Sequence, residues 1–399
     1  MSGENPSTLI RSFNVQTNFA TGPVAQNKLV PPQYTRIKTL YTTTWREQSL
    51  SNNLDWESKA FAIQLPQSLR VLKNIFLKVT LPQPSAGNFK KYPGLFVIKE
   101  VRLVSNGKEV YTANVGDHLA DYMESLTEEQ LLCFGQCWLG HQATMDNAAR
   151  DILIPLPLPN SAYGGRAGYS QRGHGIFPAQ TGNNPLEIQI TLNDNKHVCA
   201  TSAATCASLA GTCSLLYHQV EMTTANMDAY SDAKGRYSIV TRKFTELTTG
   251  WQSYASANTV VRFDANSPQG TITEIQIRAI ADVSGDESQY DYEYIKPTKI
   301  KCIADSVVHR DLDAPFKVRA ELMDNGFCQN SDFSSPGRMC FAQHCANNTY
   351  MYTGGYNMSL ASNVTFEFAF AEACVYKVVA VQLQRVKIDS DGHMTASLE

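Results

Sequence analysis

Hydrophobic and polar residues alternate with a period of two along much of the chain. Leu186–Leu192 and Val364–Phe370 alternate without a break, so each predicts a half-buried strand with one face toward a core and one toward water. Seven further runs are β-rich and predict strands: Ile37–Trp45, Val71–Leu81, Leu95–Val104, Tyr237–Leu247, Ile272–Ile280, Lys299–Val308 and Val375–Ile388. This pattern favours an all-β protein.

Turn and helix signals fill in the connections between these strands. Asn106 and Gly107 stand between two strand-like runs and predict a two-residue hairpin, because both turn positions need a positive φ. Asn325–Gly326 is a second, weaker hairpin candidate. Apolar residues at i, i+3, i+4 and i+7 predict an amphipathic helix over 117–126. The capping box Thr127-Glu-Glu-Gln130 predicts that a second short helix starts there.

The order of these segments predicts two β-sandwiches in tandem. A polar stretch at 225–236 interrupts the strand pattern and is the natural linker. The first sandwich is expected to span 36–224 and the second, with a C-terminal tail, 237–399. Residues 1–35 contain four prolines and isolated apolar residues, which predicts an extended arm. Its candidate docking residues are Phe13, Val15 and Phe19.

Composition narrows the function classes. Charged residues make up 18% of the chain and the net charge is −3, against about 25% charged residues in typical soluble domains. No lysine or arginine run indicates a nucleic-acid patch. The N-terminus lacks the basic and apolar blocks of a signal peptide. We therefore expect synthesis in the cell interior without secretion, and reduced thiols at the ten cysteines.

Two long loops are expected to be surface features. The segment 163–175 is rich in glycine, and 199–213 is rich in small residues. Neither has a periodic apolar pattern, so both are expected to project from the sandwiches and to tolerate sequence change. Cys199, Cys206 and Cys213 are evenly spaced in the second loop and are expected to be free thiols.

Candidate catalytic and metal-binding chemistry is weak. Cys133, Cys137 and His141 are spaced four apart, so one helical face could present all three to a metal, but no fourth ligand is near in sequence. A second, equally weak group is Cys340, His344 and Cys345. The eight histidines are scattered singly, which disfavours a cupin-type enzyme. The sequence thus predicts no cofactor, no metal and no enzymatic activity.

A binding function is the alternative to a structural one. Trp251 and the segment Tyr290-Asp-Tyr-Glu-Tyr294 could stack on sugars if they are exposed, which would fit a carbohydrate- or receptor-binding β-sandwich. Core and interface packing is the more common use of such aromatic residues.

The succession of segments also carries a family resemblance. It includes Ile98–Val110 with its Asn106-Gly107 turn, a helix, and then Ile154-Pro155-Leu156-Pro157. In the second half, Gly354-Gly-Tyr-Asn357-Met-Ser359 precedes the strand at Val364–Phe370. In this order the chain resembles the double jelly-roll major capsid proteins of tailless icosahedral DNA viruses, especially the branch of large eukaryotic DNA viruses and virophages.

The resemblance implies a fold and an assembly. The fold would be two tandem eight-stranded jelly rolls with one or two short helices in loops. Three copies would form a pseudo-hexameric capsomer, and capsomers would tile an icosahedral virion shell. Implied partners are neighbouring capsomers, minor capsid or cement proteins and penton proteins, with an internal membrane left open.

Overall fold

The structure is a computed structural model of the 399-residue chain. It describes residues 41–50, 54–57, 60–65, 71–124, 126–141, 146–159, 177–178, 180–181, 184–222, 238–255, 259–265, 270–282, 285–324, 335–344, 352–388 and 394–398.

Strands dominate the described residues, and they fall into two groups. The first group consists of β1 (Tyr41–Ser49), β2 (Phe61–Gln64), β3 (Val71–Leu81), β4 (Ile98–Ser105), β5 (Lys108–Asn114), β6 (Arg150–Pro155), β7 (Phe177–Pro178), β8 (Gln180–Thr181), β9 (Asn184–Pro185), β10 (Glu187–Leu192) and β11 (Cys213–Met222).

The second group consists of β12 (Ser238–Glu246), β13 (Gln252–Tyr254), β14 (Val261–Ala265), β15 (Thr271–Ile280), β16 (Lys299–Ala304), β17 (Val307–Leu312), β18 (Gly337–Cys340), β19 (Ala342–His344), β20 (Tyr352–Gly354), β21 (Tyr356–Asn357), β22 (Val364–Ala369), β23 (Cys374–Ile388) and β24 (Met394–Leu398). We call the body built from β1–β11 the N-terminal lobe and the body built from β12–β24 the C-terminal lobe.

The strand order of each lobe is that of a jelly roll. In the N-terminal lobe one sheet runs β1-β11-β3-β6 and the other β2-β10-β4-β5. The C-terminal lobe repeats this arrangement as β12-β23-β15-β18 and β14-β22-β16-β17. All of these pairs are antiparallel, and the first strand of each lobe pairs with a strand near its end, as in Tyr41↔Met222 and Ser238↔Lys387. The predicted all-β double jelly roll is confirmed.

The alternation in the sequence places each core between its two sheets. Ile188, Ile190 and Leu192 of β10 are buried in the N-terminal lobe, while the polar residues between them are partly exposed. In the C-terminal lobe Phe366 and Phe368 of β22 occupy the equivalent place. Each lobe thus has a main hydrophobic cluster, as expected from burial of one face of each strand. Val386 and Met394 of the C-terminal lobe join the cluster of the N-terminal lobe.

Three helices lie within the described residues: α1 (Val115–Met123), α2 (Glu128–Trp138) and α3 (Pro315–Asp324). The Asn114 side chain accepts a hydrogen bond from the Asp117 amide and caps α1. At α2 the predicted capping box is present, since the side chains of Thr127 and Gln130 each accept the other's backbone N–H. The sequence did not predict α3. Short 3-10 helices occur at Pro93–Phe96, Glu287–Gln289 and Met358–Leu360.

The described residues include no helix with the length and apolar character needed to cross a membrane.

The Asn106–Gly107 hairpin joins β4 to β5 as predicted, with φ of 51° and 73° at the two residues. The run Lys299–Val308, predicted as one strand, is instead split. Asp305 and Ser306 adopt φ of 47° and 68° and turn the chain between β16 and β17. The second hairpin candidate, Asn325–Gly326, lies outside the described residues.

The loop 199–213 does not project as predicted. Leu209 and Ala204 are fully buried in the core of the N-terminal lobe. Asp55 accepts a 2.8 Å hydrogen bond from the Leu209 amide, and the Trp56 indole donates to the Ala207 carbonyl at 2.8 Å. Buried residues thus anchor the segment to the lobe at intervals, although the small residues between them are largely exposed, so it is a structural element. The loop 163–175 lies outside the described residues.

Candidate functional site: the buried contact between the lobes

Helix α1 of the N-terminal lobe packs against a sheet of the C-terminal lobe through charged side chains. The helix contributes Asp121, and Glu124 follows directly after it. Across the contact, Arg242 lies on β12, Glu274 on β15 and Arg338 on β18. These three side chains point away from the core of the C-terminal lobe and toward the helix. Because the helix covers this outer face, both faces of β15 are buried.

Eight residues form what we call the inter-lobe ionic network: Asp117, Asp121, Glu124, Arg242, Glu274, Gln276, Arg278 and Arg338.

Two arginines hold the centre of this network. Arg242 binds Asp121 through one guanidinium nitrogen and Glu274, at 2.6 Å, through the other. Arg338 binds Glu274, Glu124 and, at 3.1 Å, Asp121. Both arginine side chains are at most 1% exposed. Glu274 offsets part of the charge of the two arginines within the C-terminal lobe, and Asp121 and Glu124 of the N-terminal lobe supply the remaining carboxylates.

Gln276 and Arg278 extend the network along β15. The Gln276 amide donates to Glu274 at 2.6 Å, and its carbonyl oxygen accepts from Arg278 at 2.9–3.0 Å. Arg278 in turn binds Asp117 of α1 at 2.6 Å. Alternate polar positions of one strand are thus all used to hold the helix.

The electrostatics of the network favour ionised partners. Burial alone raises the pKa of Glu274, but Arg338 and Arg242 outweigh it, so the pKa lies below its ordinary value. Burial alone lowers the pKa of Arg338, and Glu124, Glu274 and Asp121 more than offset it. Breaking such a buried pair leaves an uncompensated charge in a medium that solvates it poorly. The contact is therefore specific for one relative placement of the lobes.

His118 lies beside this network and stays neutral. Its ring packs edge-on against Phe244 with centroids 4.6 Å apart. Burial lowers the pKa of His118 from 6.5 to about 4; Asp121 and Asp117 oppose the shift, whereas Arg242 and Arg278 add to it. The imidazolium form is therefore disfavoured in the folded protein.

His118 should make the folded protein acid-sensitive. Below pH 6.5 the unfolded chain binds a proton at this residue, whereas the folded chain does so only near pH 4. Stability is thus expected to fall by roughly 3 kcal/mol between these values because of this residue. His118→Gln should flatten the pH dependence of the unfolding free energy over this range. Equal slopes for the variant and the wild type would contradict the assignment.

Hydrogen bonds to backbone and hydroxyl groups lie around the ionic network. The buried Tyr111 hydroxyl donates to the Pro157 carbonyl at 2.9 Å and is also hydrogen-bonded to Thr241 of the C-terminal lobe. Lys90 inserts its ammonium from the N-terminal lobe between the carbonyls of Ser288, at 2.8 Å, and Tyr290, at 2.7 Å. Burial lowers the pKa of Lys90 to about 8. The Lys90 contacts thus add hydrogen bonds between the lobes beyond those of the ionic network.

A cavity of about 320 Å³ remains between the lobes. Its walls include Trp251, Tyr290, Tyr292 and Tyr294, the aromatic residues considered for sugar stacking. Trp251 packs edge-on against Tyr290, with centroids 5.0 Å apart, and Lys377 lies over its ring at 4.9 Å. The structure brings these residues together as packing partners within the lobe contact.

The other sequence-derived site residues lie elsewhere. Pro155 ends β6 opposite Phe76. Gly354 ends β20, and Asn357 pairs with Thr271 at the start of β15. Ser359 lies in the 3-10 helix Met358–Leu360. The arm residues Phe13, Val15 and Phe19 lie outside the described residues.

The candidate metal-binding residues do not come together in the part of the chain that the structure describes. Within the described residues no group of three or more His, Cys, Asp or Glu side chains is placed to hold a metal ion. His141 stacks on Tyr92 with centroids 4.8 Å apart, while Cys133 and Cys137 are exposed. Cys345 of the second group lies outside the described residues.

Sequence reasoning missed the inter-lobe network. Its seven charged residues and Gln276 are spread over α1, the position directly after it, and three strands. On a strand, an alternating charged residue normally indicates a solvated face. One signal was available: Glu274, Gln276 and Arg278 follow each other at a period of two within one apolar strand.

Comparison with known proteins identifies the fold. No protein-family model matches the sequence, and no curated protein matches it in sequence. Among solved structures, the chain is similar to the PBCV-1 virus capsid, with a TM-score of 0.65 and 10% identity over 90% of this chain and 97% of the other.

The chain is also similar to the Faustovirus major capsid protein, with a TM-score of 0.61 and 10% identity over 96% of this chain and 98% of the other. The mavirus major capsid protein has a TM-score of 0.52 at 12% identity, covering 89% and 90%. At these identities the likeness shows a shared fold across both lobes.

Proposed function

We propose that this protein is a major capsid protein, which trimerises into pseudo-hexameric capsomers that tile an icosahedral virion shell. The observation that carries the proposal is the extent of the fold similarity: 96% of this chain aligns with 98% of the Faustovirus major capsid protein. Both jelly rolls and their order are thus included.

The inter-lobe network supports this role physically. Two jelly rolls in one chain give six in a trimer, so a pseudo-hexagonal outline needs a fixed placement of the two lobes. Arg242 and Arg338 support this placement, because Glu274 is their one carboxylate partner on the sheet and their other partners, Asp121 and Glu124, reach them only while α1 lies on the sheet. A rigid two-lobed unit is what a repeating shell requires.

The proposal extends to organisation and partners. We assign residues 1–35 to an arm, 36–224 and 237–399 to the two jelly rolls, and 225–236 to the linker. The protein would be a structural, non-catalytic component of the virion, made inside the host cell. Its partners would be two further copies, neighbouring capsomers, and minor capsid and penton proteins.

Sedimentation tests the proposal directly. At micromolar concentration the protein should form a species of about 133 kDa, three times the 44.2 kDa chain, because obligate interfaces commonly bury 2,000 Å² or more. Negative-stain images should show pseudo-hexagonal particles. A single species of about 44 kDa would contradict the proposal.

The carbohydrate-binding alternative predicts a different outcome. A lectin-like sandwich would run as a monomer or dimer and bind a glycan array, and Trp251→Ala would abolish that binding. As a capsid protein, the chain should show no glycan binding that depends on Trp251. The same variant therefore separates the two functions.

The arm is expected to act in assembly. Deleting residues 2–30 should leave trimers with an unchanged melting temperature, because so few apolar residues cannot form a core. Closed shells should fail to form or become fragile when the minor capsid proteins are supplied. Normal shells from the truncated chain would rule out an assembly role, and collapse of the trimer would place the arm within the folded unit.

A further inference from the structure

Two buried cysteines face each other in the segment between β10 and β11. The sulfur atoms of Cys199 and Cys206 lie 3.9 Å apart. The two residues are 0% and 3% exposed, and both thiols are free. The distance and angles of this contact are those of a thiol–thiol hydrogen bond, in which either sulfur can donate.

The surrounding backbone holds this geometry from both ends. Cys199 forms a β-bridge with Phe89. The Asn195 side chain donates to the Cys206 carbonyl at 3.2 Å, and the Cys206 sulfur lies 3.7 Å from the Pro82 carbonyl oxygen. Between the cysteines the chain reverses over small residues. The two side chains are therefore aimed at each other by a frame that does not depend on their own contact.

The environment makes the two thiols chemically unequal. The hydrogen bond from Cys206 lowers the pKa of Cys199; burial opposes this, and the nearby Lys90 ammonium adds to the lowering. The same hydrogen bond and burial raise the pKa of Cys206. A thiolate is the form that reacts with oxidants, so Cys199 is the attacking thiol and Cys206 the resolving one.

We propose that Cys199 and Cys206 form an oxidisable dithiol that closes to an intramolecular disulfide when the protein meets hydrogen peroxide. The burial of both sulfurs favours a small neutral oxidant over a bulky disulfide reagent. The sulfurs are near enough for rotation of the two side chains to bring them into bonding distance.

Oxidation of the dithiol by hydrogen peroxide would take two steps. The Cys199 thiolate attacks one peroxide oxygen, the O–O bond breaks, and hydroxide leaves with Cys199 as a sulfenic acid. The Cys206 sulfur then attacks the Cys199 sulfur and loses its proton, and the sulfenic oxygen leaves as water. Overall, two thiols are oxidised to one disulfide and one peroxide is reduced to two waters.

The cross-link would fix a segment that supports the lobe contact. Thr205 and Ser85 exchange hydrogen bonds, at 2.8 Å between the Ser85 amide and the Thr205 carbonyl and at 3.0 Å between the Thr205 amide and the Ser85 hydroxyl. Lys90 follows in the same loop and reaches into the C-terminal lobe. A disulfide restricts the unfolded chain, so oxidation is expected to raise the melting temperature by about 2–4 °C.

Mass spectrometry on the native full-length chain tests the proposal. The protein is treated with stoichiometric peroxide, alkylated in denaturant and digested with trypsin. The peptide 197–234 contains Cys199, Cys206 and Cys213. The oxidised peptide should carry one alkyl group instead of three, and the disulfide should lower the mass of the unalkylated pair by two hydrogens. Reduction with dithiothreitol followed by a second alkylation should give three alkyl groups.

Matched variants assign the result to the pair. Cys213→Ser should leave the cross-link and its thermal effect intact. Cys206→Ser should yield a sulfenic acid at Cys199 that dimedone traps, with no disulfide and no rise in melting temperature. Under reducing conditions Cys206→Ser should melt close to the wild type, which shows that the variant folds.

Three outcomes would overturn the proposal. In the first, the peptide keeps three alkyl groups after peroxide while the exposed Cys133 and Cys137 are oxidised. In the second, Cys213 replaces one partner in the cross-link. In the third, the disulfide forms only in denatured protein. The experiment uses unassembled protein, so its result is independent of whether the chain builds a shell.

Discussion

Replacing Arg338 with methionine is expected to destabilise the folded protein by about 3–5 kcal/mol, since it leaves buried carboxylates without their counter-charge. Arg338 is fully buried and binds Asp121, Glu124 and Glu274 at once. Urea or thermal unfolding of the variant measures the loss. Hydrogen exchange should rise first in α1, because that helix is held by these charges.

Two further variants make this prediction specific. Arg262→Met removes an exposed arginine 3.8 Å from Glu367, and surface pairs of this kind contribute about 0–1 kcal/mol. Glu124→Gln in the Arg338→Met background should recover part of the stability, since it removes one unpaired charge. An Arg338→Met protein as stable as Arg262→Met would refute the structural role of the network.

Gly116→Ala is expected to loosen the same contact by sterics alone. A Cβ atom at Gly116 would lie 2.1 Å from the Tyr292 hydroxyl oxygen and 2.7 Å from the Leu95 carbonyl oxygen. The second neighbour is backbone and cannot rotate away. We expect a loss of about 1–3 kcal/mol, typical of overpacking a close contact, and faster hydrogen exchange in α1 and around Tyr292.

Tyr292→Phe provides the control for this variant. It removes the nearer obstructing atom and one weak hydrogen bond to Asp117, of 3.5 Å, so alone it should change stability little. Combined with Gly116→Ala it should restore part of the loss, because the Leu95 carbonyl oxygen at 2.7 Å and the ring carbon Cζ of residue 292 at 3.1 Å are then the remaining close neighbours. If the double variant is no more stable than Gly116→Ala, the close approach of Tyr292 is not the cause.

The sequence predicts those strands, turns and helix starts that depend on residues close together in the chain. The alternation at Leu186–Leu192 requires a strand with one buried face, and Asn106–Gly107 tolerates the positive φ of a tight hairpin. Thr127 and Gln130 satisfy each other's backbone at a helix start without any distant partner. These features depend on neighbours a few residues away.

Other features escaped prediction because distant residues decide them. Asp305 and Ser306 carry no glycine-like signal, yet Asp305 accepts hydrogen bonds from the amides of Ser362 and Asn363, which favours the turn. The small residues between Cys199 and Leu209 suggest a free loop, but the buried Ala204, Cys206 and Leu209 anchor it to the core of the N-terminal lobe. In α3 the apolar pair Val318 and Leu322 is too short a pattern to indicate a helix by itself.

The sequence by itself determined that β15 is a strand, that its side chains alternate with a period of two, and that Ile275 and Ile277 form an apolar face. It did not determine where the opposite face, with Glu274 and Arg278, would lie. A charged face on a strand is compatible with water or with a partner of complementary charge, and only the tertiary structure brings α1, β12 and β18 together to supply that partner. Burial of these charges is favourable only when all of them meet, so it depends on the arrangement of both lobes and on no single segment.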